Sequence, residues 1–426
     1  MSARGNPFLS QRVPESAQSD TTGPAALPAQ VAPSSKKRKS RSEDSQDDAG
    51  RLSSRRSGRR GPPFVHLYIM MRAIAEGEFT YQEQKCLKDA EEDAEEQPSD
   101  EQIAAMTPDE REAMAAAWEQ RQYEREVAFR PMARAHETFE ELRKVVGIPV
   151  MDQKLQAFGS DATNDWFAEL DAGACDARSH DTYKMTTLVA TLVNVKISDV
   201  KSKLSEQAGA EQRAERGVQN EHTGYYICAF PHDWANLTHR TEVQQGKRNW
   251  AETFFMPLLY PEAGWDVDAL RKDYTKSPQM VAAYKLLFIS PSEARMSISA
   301  MGPGAPPPPK KRRLNDESSR PKRKSLAAKM NMDRVTPRTI AYTACQLHFA
   351  FTDAKDWAVV YDGFNYAQFY DFIVDFFEGP HKNAQRRENA EDILAWWNDQ
   401  IFPRGHCRKQ GEDTASKSAA LLDAQD

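Results

Sequence analysis

The chain has 426 residues, 28% charged and 39% hydrophobic, with a mean hydropathy of −0.74. That is long enough for two domains but too polar for all of it to bury itself, so a compact fold is expected over part of the chain only. The formal net charge of −6 averages segregated blocks: bases dominate 36–60 and 310–324, and 89–101 is acidic without one base, so the overall acidity excludes no class of partner.

In chain order, residues 1–61 are rich in Ser, Pro, Ala, Gln, Arg and Asp and nearly free of large apolar side chains. Such a segment cannot offset its chain entropy by burial and reads as a disordered tail. Its start, MSARGNPFLSQRVPES, lacks the apolar core of a signal peptide. No run approaches the roughly 18–20 apolar residues that cross a bilayer, so no membrane contact is expected. Cys86, Cys175, Cys228, Cys345 and Cys407 are odd in number, far apart and without a CxxC pair, which suggests neither a disulfide framework nor a zinc ribbon. A soluble protein of a reducing compartment is expected.

A charged, helical extension over 62–135 opens with PPFVHLYIMMRAI as one helix and contains the acidic linker 89–101. The stretch from Thr107 carries a capping signature: Thr107 as N-cap, Pro108 in the first turn and Glu110 three residues on. Its apolar stripe (Met114, Ala117, Trp118, Val127, Phe129) is thin, so this helix packs weakly or projects, and it should stop or kink near Pro131. Three helices are expected next, over 136–146, 160–177 and 179–195. The last sets Met185, Leu188, Val189 and Leu192 on one face.

Residues 201–217 read as a polar connection, and 224–261 as loops with at most a small hairpin around the β-like YYICAF. Ser277 and Pro278 then open a helix with a buried stripe (Met280, Val281, Tyr284, Leu287, Phe288) that ends before Pro291. Thr336 and Pro337 repeat the device for a helix lined by Ile340, Ala344, Leu347 and Phe351. The run NYAQFYDFIVDFF is aromatic enough to be buried from two sides. The last helix aligns Ala390, Ile393, Leu394, Trp397 and Ile401 and ends at Pro403. The expected fold class is mainly α: a single irregular helical domain over 136–403, with the long disordered N-terminal tail, an internal disordered basic loop over 295–333 and a disordered tail over 404–426.

Several separated motifs, in one order, carry a resemblance: Arg216-Gly217, Thr223-Gly224, Cys228, Asp233-Trp234, Ser290-Pro291-Ser292, Thr336-Pro337, Ile340-Ala341-Tyr342 and Trp396-Trp397-Asn398 followed by Ile401-Phe402-Pro403. The stretch from Phe139 to Pro403, most clearly after Arg216, resembles an uncharacterised domain-of-unknown-function family of mushroom-forming basidiomycete fungi. The resemblance implies no established activity or cofactor. It does imply that both flanks of the basic loop belong to one unit, and that this loop is longer and more basic than the family's usual connection.

Chemical candidates are few. His222, Cys228, His232, Asp233 and His239 fall within one stretch, but their spacing fits no standard zinc pattern. Cys228 therefore reads as a small buried apolar residue and the histidines as loop residues, which vary in the resembled family. Asp371, Asp375 and Glu378 share one helical face and could bind Mg²⁺ or act as acid and base, though a solvated face is the simpler reading. Cys345 and His348 sit three residues apart, where helix packing accounts for both. Trp396 lies about 100° off the apolar stripe that holds Trp397 and is a candidate partner anchor. No catalytic, metal or cofactor residue is assigned.

The basic groups are the most specific signal. Lys36, Lys37, Arg38 and Lys39 with Arg55, Arg56, Arg59 and Arg60 form one pair of clusters; Lys310, Lys311, Arg312 and Arg313 with Lys322, Arg323 and Lys324 form a second. Pro306 to Pro309 favour an extended approach. Such pairs suit a nuclear import receptor, so the nucleus is the expected location. They would also attract phosphates, but without interleaved aromatics to stack on bases only non-specific nucleic-acid contact is expected. Ser42, Ser45 and Ser325 are placed to weaken the basic grip if phosphorylated. The expected protein is a non-enzymatic nuclear interaction or chromatin-associated module with an unknown protein partner. The alternatives are a nucleic-acid-processing enzyme of mobile-element origin and a self-associating structural protein.

Overall fold

The computed structural model describes residues 88, 100–194, 203–205, 215–229, 231–261, 265–301, 325–330, 332–381 and 383–403. The helix expected over 62–74 and both pairs of basic clusters lie outside these residues. Among the described residues the chain is mainly α-helical, with one two-stranded hairpin.

Helix α1 (Asp100–Ala105) precedes α2 (Pro108–Val146). At the start of α2 the Thr107 hydroxyl accepts the Glu110 N–H at 3.3 Å, and the Glu110 carboxylate accepts the Thr107 N–H at 2.8 Å, the reciprocal cap expected from the sequence. Pro131 does not end the helix; α2 runs through it and absorbs the separate helix expected over 136–146. The ring removes one ladder hydrogen bond, whereas Met132, Phe139 and Leu142 beyond it are buried. Burial of that kind outweighs one lost bond. Gly147, at φ +107°, turns the chain into α3 (Ile148–Gln156).

The two helices expected over 160–195 are one, α4 (Asp161–Asn194). Its first half joins Phe139, Leu142 and Met151 in a small core through Phe167 and Leu170. Its second half enters the main core through Met185, Leu188, Val189 and Leu192, the stripe read from the sequence. In the polar connection that follows, the Asn194 side chain both donates to and accepts from the backbone of Leu204 at 2.7 Å, and the buried Arg216 guanidinium donates to the Ala350 carbonyl.

The β-like YYICAF is corrected: its first three residues end helix α5 (Glu221–Ile227). The Asn220 side chain caps that helix by accepting the His222 and Thr223 N–H groups at 2.9 and 3.0 Å. Trp234 lies across it and donates its indole N–H to the Glu221 carbonyl at 3.0 Å. A Cβ on Gly224 would overlap the Trp234 ring, so the glycine is what permits this approach. Two short helices follow, α6 (Pro231–Ala235) and α7 (Leu237–Gln244).

Helix α8 (Pro278–Tyr284) starts at the Ser277 cap as expected and continues as one π-helical turn over Lys285–Ile289. Ser290 then caps α9 (Pro291–Ser299). With α10 (Leu326–Lys329), α9 occupies the two ends of the stretch read as a disordered loop, which corrects its boundaries.

The centre of the main core is α11 (Pro337–Phe351), in which Ile340, Ala341 and every residue from Thr343 to Phe351 are buried. It packs against α4, α5, α8 and the aromatic helix α12 (Tyr366–Glu378). Strands β1 (Val360–Tyr361) and β2 (Phe364–Asn365) pair antiparallel, Tyr361 opposite Phe364. The turn between them is Asp362-Gly363, both at positive φ, the pair that tight hairpins favour. This is a hairpin, but not where the sequence reading allowed one. Helix α13 (Ala384–Ile401), capped by Asn383, packs on α12 and buries Ala390, Ile393, Trp397 and Ile401.

Candidate functional site

Arg130, Arg134 and Glu137 recur at i, i+4 and i+7 on α2, and Asp371, Asp375 and Glu378 do the same on α12, so each helix presents one charged stripe. The two stripes meet. Arg130 reaches Glu378 at 3.0 Å, Asp375 at 3.2 Å and its own neighbour Glu137 at 3.2 Å. Arg134 holds Asp371 at 3.1 Å and also bonds Asp375. Arg338, from the first turn of α11, closes the network on Glu137 and Glu378.

The carboxylates on α12 are thus ion-paired while still partly solvated, the Asp371 and Asp375 side chains being 38% and 37% exposed. Guanidinium groups occupy them, which leaves Asp371 and Asp375 ill-suited to a divalent cation. Burial works to lower the Arg130 pKa, but Glu137, Asp375 and Glu378 outweigh it and the net direction is upward. Burial pushes the Asp371 carboxyl up to about 6 against the pull of Arg134, and the Asp375 charge adds to the rise.

Beside this clamp α2, the end of α12 and the first half of α13 line a cleft of about 840 Å³. One wall is α2, with Glu119, Tyr123, Glu126 and Phe129; the other carries Phe377, His381, Arg387 and Glu391, and Arg130 with Glu378 close the base. The His381 imidazole is pushed down, first by burial and then by Arg271 and Arg387. Of these residues only Glu378 is a chemical candidate from the sequence; Phe129 reads there as part of the apolar stripe of α2 and Phe377 as part of an aromatic helix. The available signal was the thin stripe of α2, which predicted a helix without a full complement of core contacts.

The other candidates fall apart in space. Cys345 and His348 are both fully buried; the thiol points to the Tyr366 carbonyl at 3.7 Å, while His348 Nδ1 lies 3.0 Å from the Tyr366 hydroxyl. They share a neighbour and form no dyad. Burial lowers the His348 pKa to about 3 and raises that of the Cys345 thiol. Cys228 is buried at the end of α5, and His232 meets the Trp265 ring edge-on at 5.4 Å. The Asp233 side chain lies outside the described residues, and among those residues no three His, Cys, Asp or Glu groups converge as metal ligands.

Trp396 is half-buried: its ring stands edge-on to Trp397 at 5.7 Å, with the Lys276 ammonium 5.8 Å from its centre. Ser325 caps α10 by accepting the Ala328 N–H at 3.0 Å; Ser42 and Ser45 lie outside the described residues.

The motifs that carry the family resemblance fall, by contrast, at helix caps and at anchors of the main core. Thr336 caps α11, Thr223 donates to the Gly217 carbonyl at 2.8 Å, and Asn398 accepts the Val335 N–H at 2.8 Å. The profile of a family of unknown function, DUF6698, matches residues 172–402, more than half of the chain. The chain belongs to this family. The DUF6698 match spans α5 to α13 and the second half of α4; α2 and the α2 wall of the cleft lie before it. No curated protein and no solved structure matched the chain.

Proposed function

We propose that this DUF6698 protein is a non-enzymatic interaction module of the nucleus, in which the first half of α2 is an arm presented to a protein partner. The observation that carries the reading is the burial pattern of α2: no residue from Pro108 to Pro131 is buried, and burial begins at Met132. Helical propensity alone rarely sustains such a length in water, and the arm carries Met114, Trp118 and Tyr123, side chains with apolar surface to cover. The clamp on α12 holds the arm at its base.

The nuclear location rests on the two pairs of basic clusters, and origin in a basidiomycete fungus on the resemblance of the motifs. The test is made in the native cell with a tagged full chain. Neutralising Lys36–Lys39, Arg55–Arg60, Lys310–Arg313 and Lys322–Lys324 to Gln should abolish nuclear accumulation. Proximity labelling should recover a protein set that is lost when Trp118 and Met114 are replaced by Glu. An unchanged set, or Mg²⁺-dependent nucleic-acid cleavage that disappears in Asp371→Asn, would overturn the interaction reading.

A further inference from the structure

The row of side chains that anchors α2 does not stop where burial stops. Met132, Phe139 and Leu142, the buried apolar residues of the helix, lie with Ala135 on one row whose members recur at alternating steps of three and four. Continued toward the start of α2, the same row runs through Ala128, Arg125, Arg121, Trp118, Met114 and Arg111. Such a row is the contact face of two helices packed side by side. In the base, Phe139 and Leu142 take it into the small core. Along the arm, Met114 and Trp118 are half-buried and pack against neither core among the described residues, with the Arg121 guanidinium 5.5 Å from the centre of the Trp118 ring. A lone helix of this length is marginal in water, so the row marks the place of a neighbouring helix.

We propose that the neighbour is this chain's own segment 64–74, docked along the arm as an antiparallel helix. Its sequence, FVHLYIMMRAI, is more apolar than any other stretch outside the described residues. Phe64, Leu67, Met71 and Ile74 repeat the steps of three, four and three found on the arm, which gives the segment a matching face. The connection is long enough: residues 75–99, extended, span up to about 80 Å, more than twice the arm's length of about 35 Å. A tether of this kind holds the segment at roughly millimolar effective concentration, so a contact too small to hold a separate protein suffices within one chain. The turn back also brings the acidic run 89–101 beside Arg111, Arg121 and Arg125 of the row. A partner that takes Trp118 must first displace the segment. The docking stands without any partner; this regulatory consequence alone rests on the interaction reading above.

The test uses the full chain with the photo-crosslinking side chain of p-benzoylphenylalanine in place of Trp118, irradiated as an equal mixture of isotopically light and heavy protein. Peptide mass spectrometry should find adducts to residues 62–74 within single chains. The double variant Leu67→Glu with Met71→Glu, which puts charge on the docking face, should abolish that adduct. In the chain that keeps Trp118, the same double variant should speed hydrogen exchange of arm amides 111–128 about tenfold or more, while amides of α11 stay unchanged and report an intact fold. If α11 also exchanges faster, the crosslink alone decides. Adducts only between light and heavy chains would make a second copy the occupant and overturn the proposal. Adducts elsewhere, or equal arm exchange with and without the two glutamates, overturn it as well. In the native cell the double variant should recover more of the proteins whose labelling depends on Trp118. Unchanged recovery with the crosslink present ends the regulatory step and leaves the docking, whereas recovery of Trp118-dependent proteins with no adduct ends the docking and leaves the interaction reading.

Discussion

The His348 ring stacks on Phe364 and lies nearly parallel to Trp250, at centroid distances of 4.1 and 5.7 Å, and its Nε2 is buried without a hydrogen-bond partner. Protonation there would bury a charge with no hydrogen-bond partner at Nε2, which is why burial lowers the pKa to about 3. The unfolded chain titrates at its ordinary value near 6.5. The stability this residue supports is therefore complete above about pH 6.5 and falls as the unfolded state takes up a proton that the folded state refuses, by about 2 kcal/mol at pH 5. Asp371 acts in the opposite sense: its folded pKa of about 6 lies above its ordinary value of 3.8, so its contribution is lost as pH rises through 6 and regained on acidification. Urea midpoints compared at pH 7.5 and pH 5 separate the two. His348→Phe, which keeps the stack, should lose most of the acid sensitivity at a cost of about 1 kcal/mol at pH 7.5 for the lost Tyr366 bond. Asp371→Asn should make the acid sensitivity steeper.

Among the elements, α2 tests what holds the arm to the core. Asp375 accepts from both Arg130 and Arg134, so Asp375→Asn removes one charged partner from each; because Glu137 and Glu378 still hold Arg130 and Asp371 still holds Arg134, it should cost about 1 kcal/mol by urea denaturation. Pro131 supplies the opposite sign. Ala restores a helix donor and better propensity, and Pro131→Ala should raise the unfolding free energy by up to about 3 kcal/mol. A drop instead would mean that the proline at this position is needed for Arg130 and Arg134 to share one carboxylate. Gly224→Ala forces a Cβ into the Trp234 ring and should cost about 1–3 kcal/mol through overpacking.

These elements also mark the reach of the sequence. The caps at Thr107, Ser277 and Thr336 were legible because a cap is a contract among four neighbouring residues. The continuity of α2 past Pro131 and of α4 past Ser179 was not, since burial of Met132 and Leu142 is decided by remote residues. The same holds for YYICAF, whose strand-like composition gives way to a helix once Trp234 lies on Gly224. The charged stripes on α2 and α12 were each visible as a period, but their pairing joins positions some 240 residues apart. Asp362-Gly363 was a readable turn signal that lay outside the segment where a hairpin was sought.

At the scale of the whole molecule there are two cores of unequal size. The family match begins inside α4, between the small core it shares with α2 and α3 and the main core around α11. The matched motifs sit at caps, close approaches and buried anchors such as Trp397, whose indole donates to Thr275 at 3.2 Å. Each of these contacts helps to specify the fold. The cleft is made where the unmatched α2 meets the matched α12 and α13. The small core buries five large side chains, Phe139, Leu142, Met151, Phe167 and Leu170, against several dozen in the main one, so it has far less apolar burial to resist local opening. Native-state hydrogen exchange followed by mass spectrometry should show a gradient within the single helix α4. Amides around Phe167 and Leu170 should exchange through a sub-global opening well before those around Met185 to Leu192, which should persist with α11 to the global limit. Phe167→Ala should bring the first group's opening forward and leave the second nearly unchanged. Uniform protection along α4, or an equal loss at both ends in Phe167→Ala, would show that the two cores open as one and that the arm is held by the whole fold instead of by its own small anchor.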